Sequence, residues 1–129
     1  GVATALPALM RAQKIQKRAA REGFDWPNLE PVIAKVREEL YEVQEEITSG
    51  SSEAHVREEV GDLIFACVNL ARHLGIDAEV AAQEANKKFE RRFRAGENNL
   101  VKDGKSLRDA ELKELDNYWN IVKESENKN

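Results

Sequence analysis

The sequence predicts an all-α fold, and three observations lead there. Apolar residues recur at three- and four-residue spacing through most of the chain. Gly and Pro are scarce, 7 and 3 in all, and most of the glycines fall between those periodic segments, as short helix connections require. With 129 residues, 41% of them hydrophobic and 34% charged, the chain suits one helical domain over residues 1–129 and leaves little room for a second.

The first helix is expected from about Leu6 to Glu22, where Leu6, Leu9, Met10 and Ile15 recur among Arg and Lys and Gly23 supplies a stop. The loop Phe24-Asp25-Trp26-Pro27-Asn28 follows, with two aromatics that a surface loop does not ordinarily carry. A second helix spans about Leu29 to Thr48, Pro31 being tolerated in its first turn. Leu29, Val32, Val36, Leu40, Val43 and Ile47 form its apolar stripe, and Glu39, Glu42 and Glu46 border it. Ser49-Gly50-Ser51-Ser52 reads as a turn. The third helix, about Glu53 to Leu74, has Leu63, Ile64, Phe65, Cys67, Val68, Leu70 and Leu74 around most of its circumference, which predicts a buried central helix. Asp77 is the expected N-cap of a fourth helix reaching about Ala95. The segment Gly96–Lys105 is polar and breaks the pattern at Gly104. Ser106-x-x-Asp109 then resembles a capping box opening a fifth helix, with Leu112, Leu115, Trp119 and Val122 at core spacing and residues 124–129 as a frayed tail.

Within this helical frame one constellation is chemically conspicuous. Glu39 and Glu42 are followed, after sixteen intervening residues, by Glu59 and Asp62. An i,i+3 pair lies about 60° apart in projection and one turn apart along the axis, so each helix points two carboxylates the same way. Two such helices laid antiparallel make an acidic cup. Like charges at that spacing cost a helix about 0.2–0.5 kcal/mol per pair, so a hard divalent cation, Mg²⁺ or Mn²⁺, is the natural complement. Glu45, Glu46 and Glu53 read as ordinary solvated acids. His55, with no Cys or second His nearby, reads as an exposed residue near a helix start and not as a zinc ligand. His73 reads as a helix-end residue interacting with the C-terminal dipole.

The second constellation is Asn86-Lys87-Lys88-Phe89-Glu90-Arg91-Arg92-Phe93. Phe89 and Phe93 form an i,i+4 apolar pair, and Lys88 and Arg92 form an i,i+4 basic pair on another face. By itself the basic pair fits a solvated face; set toward the acidic cup, it would bind phosphate oxygens that the metals leave uncovered. Trp119 and Lys123 repeat the spacing on the fifth helix, where core packing is the alternative for Trp119.

Glu38-Glu39-x-x-Glu42, Glu59-x-x-Asp62 and Asn86-x-Lys88-Phe89-x-x-Arg92-Phe93 together resemble the MazG family of nucleoside triphosphate pyrophosphohydrolases. Leu6-Pro7-Ala8-Leu9-Met10-Arg11-Ala12 and Gly23-Phe24-Asp25-Trp26 are similar to the second of the two tandem domains in longer members. The resemblance covers nearly the whole chain. It implies a four-helix bundle with an extra C-terminal helix, completed by dimerisation, and Mg²⁺-dependent hydrolysis of a nucleoside triphosphate to monophosphate and pyrophosphate, a nucleotide-pool house-cleaning reaction. It carries the metal-ligand role onto Glu39, Glu42, Glu59 and Asp62, and triphosphate contacts onto Lys88, Arg92, Trp119 and Lys123, with Asn86 beside them. Glu38 stacks on Glu42 at i,i+4 and is a candidate base or orienting group for the attacking water, with Glu39 alongside. The alternative function is a non-catalytic interaction or regulatory domain of a larger two-domain protein. A redox di-iron bundle fits poorly, because the chain has no Glu-x-x-His pairs.

Composition narrows the partners. A net charge of −4, with basic residues interspersed among acids, speaks against nucleic acid. No apolar run approaches the roughly 20 residues of a membrane span, and Gly1-Val2-Ala3 does not begin a signal peptide. A start at Gly1 in place of Met suggests a processed chain or one cut from something longer. The single Cys67 excludes a disulfide framework, fits a reducing, cytoplasmic setting, and is expected to be a small buried hydrophobe. The third helix is too apolar for one layer of neighbours to cover in so small a domain, so a homodimer is expected.

Overall fold

The computed structural model describes residues 1–127. Five α-helices account for its regular structure: α1 (Ala8–Arg21), α2 (Leu29–Thr48), α3 (Glu53–His73), α4 (Ala78–Lys102) and α5 (Leu112–Asn127). The all-α expectation holds. The chain divides into two compact units, Gly1–Ala81 and the part from Ala82 onward. Among the described residues no helix is long and apolar enough to cross a membrane.

In the first unit α2 and α3 form a tight hairpin about the Ser49–Ser52 turn. Ser52 accepts a hydrogen bond from the His55 amide at 3.4 Å and starts α3. Each helix recedes from that turn at 1.5 Å per residue, so residues equally far from it face one another. Glu42 lies six positions before Thr48 and Glu59 six positions after Glu53; the hairpin register therefore brings the two halves of the acidic motif level. Helix α1 lies against α3, where the buried Gln16 donates through Nε2 to the Phe65 carbonyl at 3.0 Å. Gln13 ties the end of the unit down: Nε2 donates to the Ile76 carbonyl and Oε1 accepts from the Ala78 amide. Asp77 caps α4 as expected, accepting from the Val80 amide at 3.1 Å.

A polar knot holds the α1–α2 loop. Both Asp25 carboxylate oxygens accept from the Arg72 guanidinium, at 2.6 and 3.2 Å, and His73 Nε2 lies 2.8 Å from Asp25 Oδ1. Arg72, with His73 adding to it, holds the Asp25 carboxyl down from its usual 3.8 to about 2. His73 thus bonds a loop carboxylate, a contact beyond the helix-dipole role expected of it. Phe24 and Trp26, on either side of Asp25, are exposed. Because the Asp25 pKa is depressed, its contribution is complete above about pH 4 and disappears as pH falls toward 2. Asp25→Asn is expected to lower stability by about 1–2 kcal/mol at neutral pH, the surface setting discounted. Thermal melts from pH 2.5 to 7 check this: the variant should lack the wild-type loss of stability between pH 4 and 2.5.

Helix α3 departs from its expected burial. Ala66 and Val68 are buried, but Val60, Ile64, Cys67 and Leu74 are exposed along an i,i+4,i+7 stripe, and Phe65 is 45% exposed. Cys67 is therefore a surface thiol within the chain, since α1 and α2 cover only part of the α3 circumference.

In the second unit α4 continues past its expected end near Ala95 and reaches Lys102, just before the expected break at Gly104. Gly96 is buried inside the helix near Tyr118, and Leu100, one turn later, is 1% exposed. The stop comes at Gly104, whose φ of +72° closes a Schellman motif: Lys105 N–H bonds to Leu100 O and Gly104 N–H to Val101 O. Ser106 and Asp109 do bond one another, the Asp109 amide donating to Ser106 Oγ and that hydroxyl donating to Asp109 Oδ2. They close a separate turn, however, and α5 starts only at Leu112. Leu112 is 82% exposed and is not a core residue, whereas Val122 is buried. Helix α5 runs through Asn127; of the expected frayed tail, residues 128 and 129 lie outside the described part.

Candidate functional site

The α2–α3 hairpin gathers carboxylates from both halves of the acidic motif. One oxygen each from Glu39, Glu42 and Glu59 lie within 4.8 Å of one another. Asp62 stands one turn beyond Glu59 and is exposed; it is outside that close set, though its charge acts on Glu59. Glu38 is also exposed and faces Lys35, whose Nζ lies 3.4 Å from Glu38 Oε1 and 3.0 Å from Glu39 Oε1.

Three features of this cluster fit a hard cation. Glu39 is buried, and among the described residues its Oε2 has no hydrogen-bond donor; Glu59 Oε2 is likewise buried without a well-formed bond among them. A buried carboxylate oxygen with no donor costs free energy that a cation recovers. Burial pushes the Glu59 carboxyl up, and Glu42 raises it further through a close carboxyl–carboxyl contact in which a proton can be shared; Asp62 and Glu39 add to the effect. Lastly, Lys35 supplies one positive charge where several negative ones converge, and Glu39 chiefly raises its pKa in return. All-oxygen donors suit Mg²⁺, Mn²⁺ or Ca²⁺ and disfavour softer metals.

The basic and aromatic residues singled out in the sequence lie in the second unit. Phe89 and Phe93 stack with centroids 6.0 Å apart, and Phe89 meets Trp119 at 5.1 Å. The two phenyl rings are 57% and 39% exposed, so they are less a core pair than one wall of an apolar cleft of about 250 Å³, which Leu100, Leu115 and Trp119 help to line. Arg92 lies over the Trp119 ring at 5.8 Å and is mostly buried, while Asn86, Lys88 and Lys123 are exposed.

Comparison with known proteins now decides the family. A model of the MazG nucleotide pyrophosphohydrolase domain matches residues 28–95, from just before α2 into α4. The chain belongs to the MazG family. The MazG match spans the whole acidic hairpin and the Lys88–Arg92 segment. The chain is 52% identical, over 94% of its length, to a nucleoside triphosphate pyrophosphohydrolase of Escherichia coli. It is 41% identical, over 92% of its length, to the nucleoside triphosphate pyrophosphohydrolase/pyrophosphatase MazG of Thermotoga maritima. It spans about half the length of these relatives, 46% and 45% respectively. A longer Bacillus subtilis protein, the uncharacterized YabN, is 40% identical over 94% of the chain.

Proposed function

We propose that this MazG chain hydrolyses nucleoside triphosphates to nucleoside monophosphate and pyrophosphate in a divalent-metal-dependent reaction, as a cytoplasmic house-cleaning enzyme of the nucleotide pool. The observation that carries this reading is the Glu39–Glu42–Glu59 cluster, with its buried donorless oxygens, on the hairpin that the family match covers. The activities for which the Escherichia coli and Thermotoga maritima relatives are named support the substrate class.

In this reading Glu39, Glu42 and Glu59 hold Mg²⁺, with Mn²⁺ as a substitute, and Asp62 joins them from the next turn of α3. A cation bound there neutralises triphosphate charge and makes a water more acidic. Glu38, exposed beside the cluster, accepts a proton from the attacking water or orients it. Lys88, Arg92 and Lys123 bind triphosphate oxygens, Trp119 offers an aromatic face, and Asn86 adds an amide. Arg92 can clamp two oxygens at once, whereas Lys88 and Lys123 act as point charges. Incubation with a panel of ribo- and deoxyribonucleoside triphosphates and Mg²⁺ tests the reading. Pyrophosphate with nucleoside monophosphate is the expected product pair; orthophosphate with nucleoside diphosphate, or no turnover of any triphosphate, contradicts it.

The active species is proposed to be a homodimer. The uncovered stripe of Val60, Ile64 and Leu74, with Phe65 beside it, is an apolar face of the kind that obligate interfaces bury. An interface of roughly 2,000 Å² or more is expected, so dissociation should accompany unfolding. Sedimentation velocity at low micromolar concentration should show at least twice the 14.6 kDa monomer mass; a folded, active monomer would refute the dimer.

A further inference from the structure

The arginines at 91 and 92 share one carboxylate. Glu126, on the last turn of α5, accepts from Arg91 Nε at 2.8 Å through Oε1 and from Arg92 Nε at 2.8 Å through Oε2. Arg91 adds a second donor to Oε2 at 3.3 Å. Both oxygens of a single anion are thus held by two guanidinium groups. The more buried of these, Arg92 at 13% side-chain exposure, is also stacked on Trp119. Arg91 and then Arg92 hold the Glu126 carboxyl down at about 2, so the anion is present throughout the physiological range.

The N–H edge that a guanidinium offers a carboxylate is the edge it offers a phosphate. Arg92 cannot give its Nε proton to both at full strength. Two arginines against one carboxylate leave a net positive charge, and Lys88, one turn earlier on α4, increases it. A polyanion is therefore attracted to a site that a weaker intramolecular anion already fills.

We propose that Glu126 is a built-in competitor for the Arg91–Arg92 pair, occupying it as a phosphate mimic until a polyphosphate chain displaces it and so setting the affinity for the substrate. The proposal rests on the reading of Arg92 as a triphosphate contact. It also gives product release a direction, because Glu126 recloses on the arginines once the bound charge decreases.

The test compares the full chain with Glu126→Gln, a near-isosteric change that removes the charge and one of the two acceptor oxygens. Calorimetric titration with inorganic tripolyphosphate in Mg²⁺ should give a Kd about three- to tenfold lower in the variant, the range set by a partly exposed ion pair. The KM for a nucleoside triphosphate should fall by a similar factor, and Arg92→Ala in the same background should abolish the gain. Unchanged or weaker tripolyphosphate binding by a variant that melts like the parent would overturn the proposal. Should the variant not fold, the Arg92 Nε–Hε NMR resonance of the unaltered chain decides: a shift that saturates with tripolyphosphate upholds the exchange, and none at saturation overturns it. Tighter tripolyphosphate binding by Glu126→Gln in a chain that hydrolyses no nucleotide would uphold the competitor and reject the hydrolase reading.

Discussion

Glu59→Gln should lose turnover by about 100- to 1,000-fold or more while its metal-free form melts at the same temperature as the parent or higher. The two effects have one origin. Without metal, Glu59 is partly desolvated and crowded by Glu42 and Glu39, with the charge of Asp62 acting from one turn away, so its pKa is raised and its ionised form is disfavoured in the fold. A neutral amide relieves that repulsion and keeps the shape. In the proposed reaction the same group would be a charged oxygen donor to the metal, and its loss would remove electrostatic stabilisation where phosphate charge builds in the transition state. Glu42→Ala and Asp62→Ala should follow the same pattern. Glu39→Ala should lose activity equally, but its melting temperature should gain less, because Glu39 is buried and pairs with Lys35. Circular-dichroism melts beside steady-state assays separate the cases. A Glu59→Gln chain that unfolds without metal would show that the carboxylate is structural, and one retaining full turnover would remove it from the metal site.

The second large effect is expected at Arg92. Arg92→Ala should raise the KM for a nucleoside triphosphate by about 10- to 100-fold, the loss of a charge-assisted and largely desolvated contact. Lys88→Ala should have the same sign and a smaller size, since Lys88 is exposed and water screens its charge. Unchanged kinetics in both variants would leave a solvated basic face and nothing more.

The contrast between what the sequence disclosed and what it concealed follows from the range of the interactions. Helices α1, α2 and α3 were legible to within two residues because their signals are local: apolar periodicity, a turn of Ser and Gly, and a Gly stop. The acidic motif was legible for the same reason, its spacing being a statement about two helix faces and a short turn. Asp62 shows the limit, for register alone does not say which of four carboxylates converge most closely. Gly96 misled because its meaning is set by a distant neighbour, Tyr118, beside which it is buried in mid-helix. The Ser106–Asp109 box misled because a capping pattern can close a free-standing turn as well as start a helix. The burial expected for Cys67 failed because periodicity says which face is apolar and not what covers it. The Asp25–Arg72–His73 knot and the Arg91–Glu126–Arg92 bridge join residues tens of positions apart, and no local pattern announces them.

Hydrolysis of a nucleoside triphosphate in ¹⁸O-labelled water, with mass analysis of both products, tests the proposed chemistry most directly. Attack at the α-phosphorus puts the label in the nucleoside monophosphate and leaves pyrophosphate unlabelled, and that is the result predicted for Mg²⁺ held by the α2–α3 carboxylates. Label in pyrophosphate, or release of labelled orthophosphate, would contradict it.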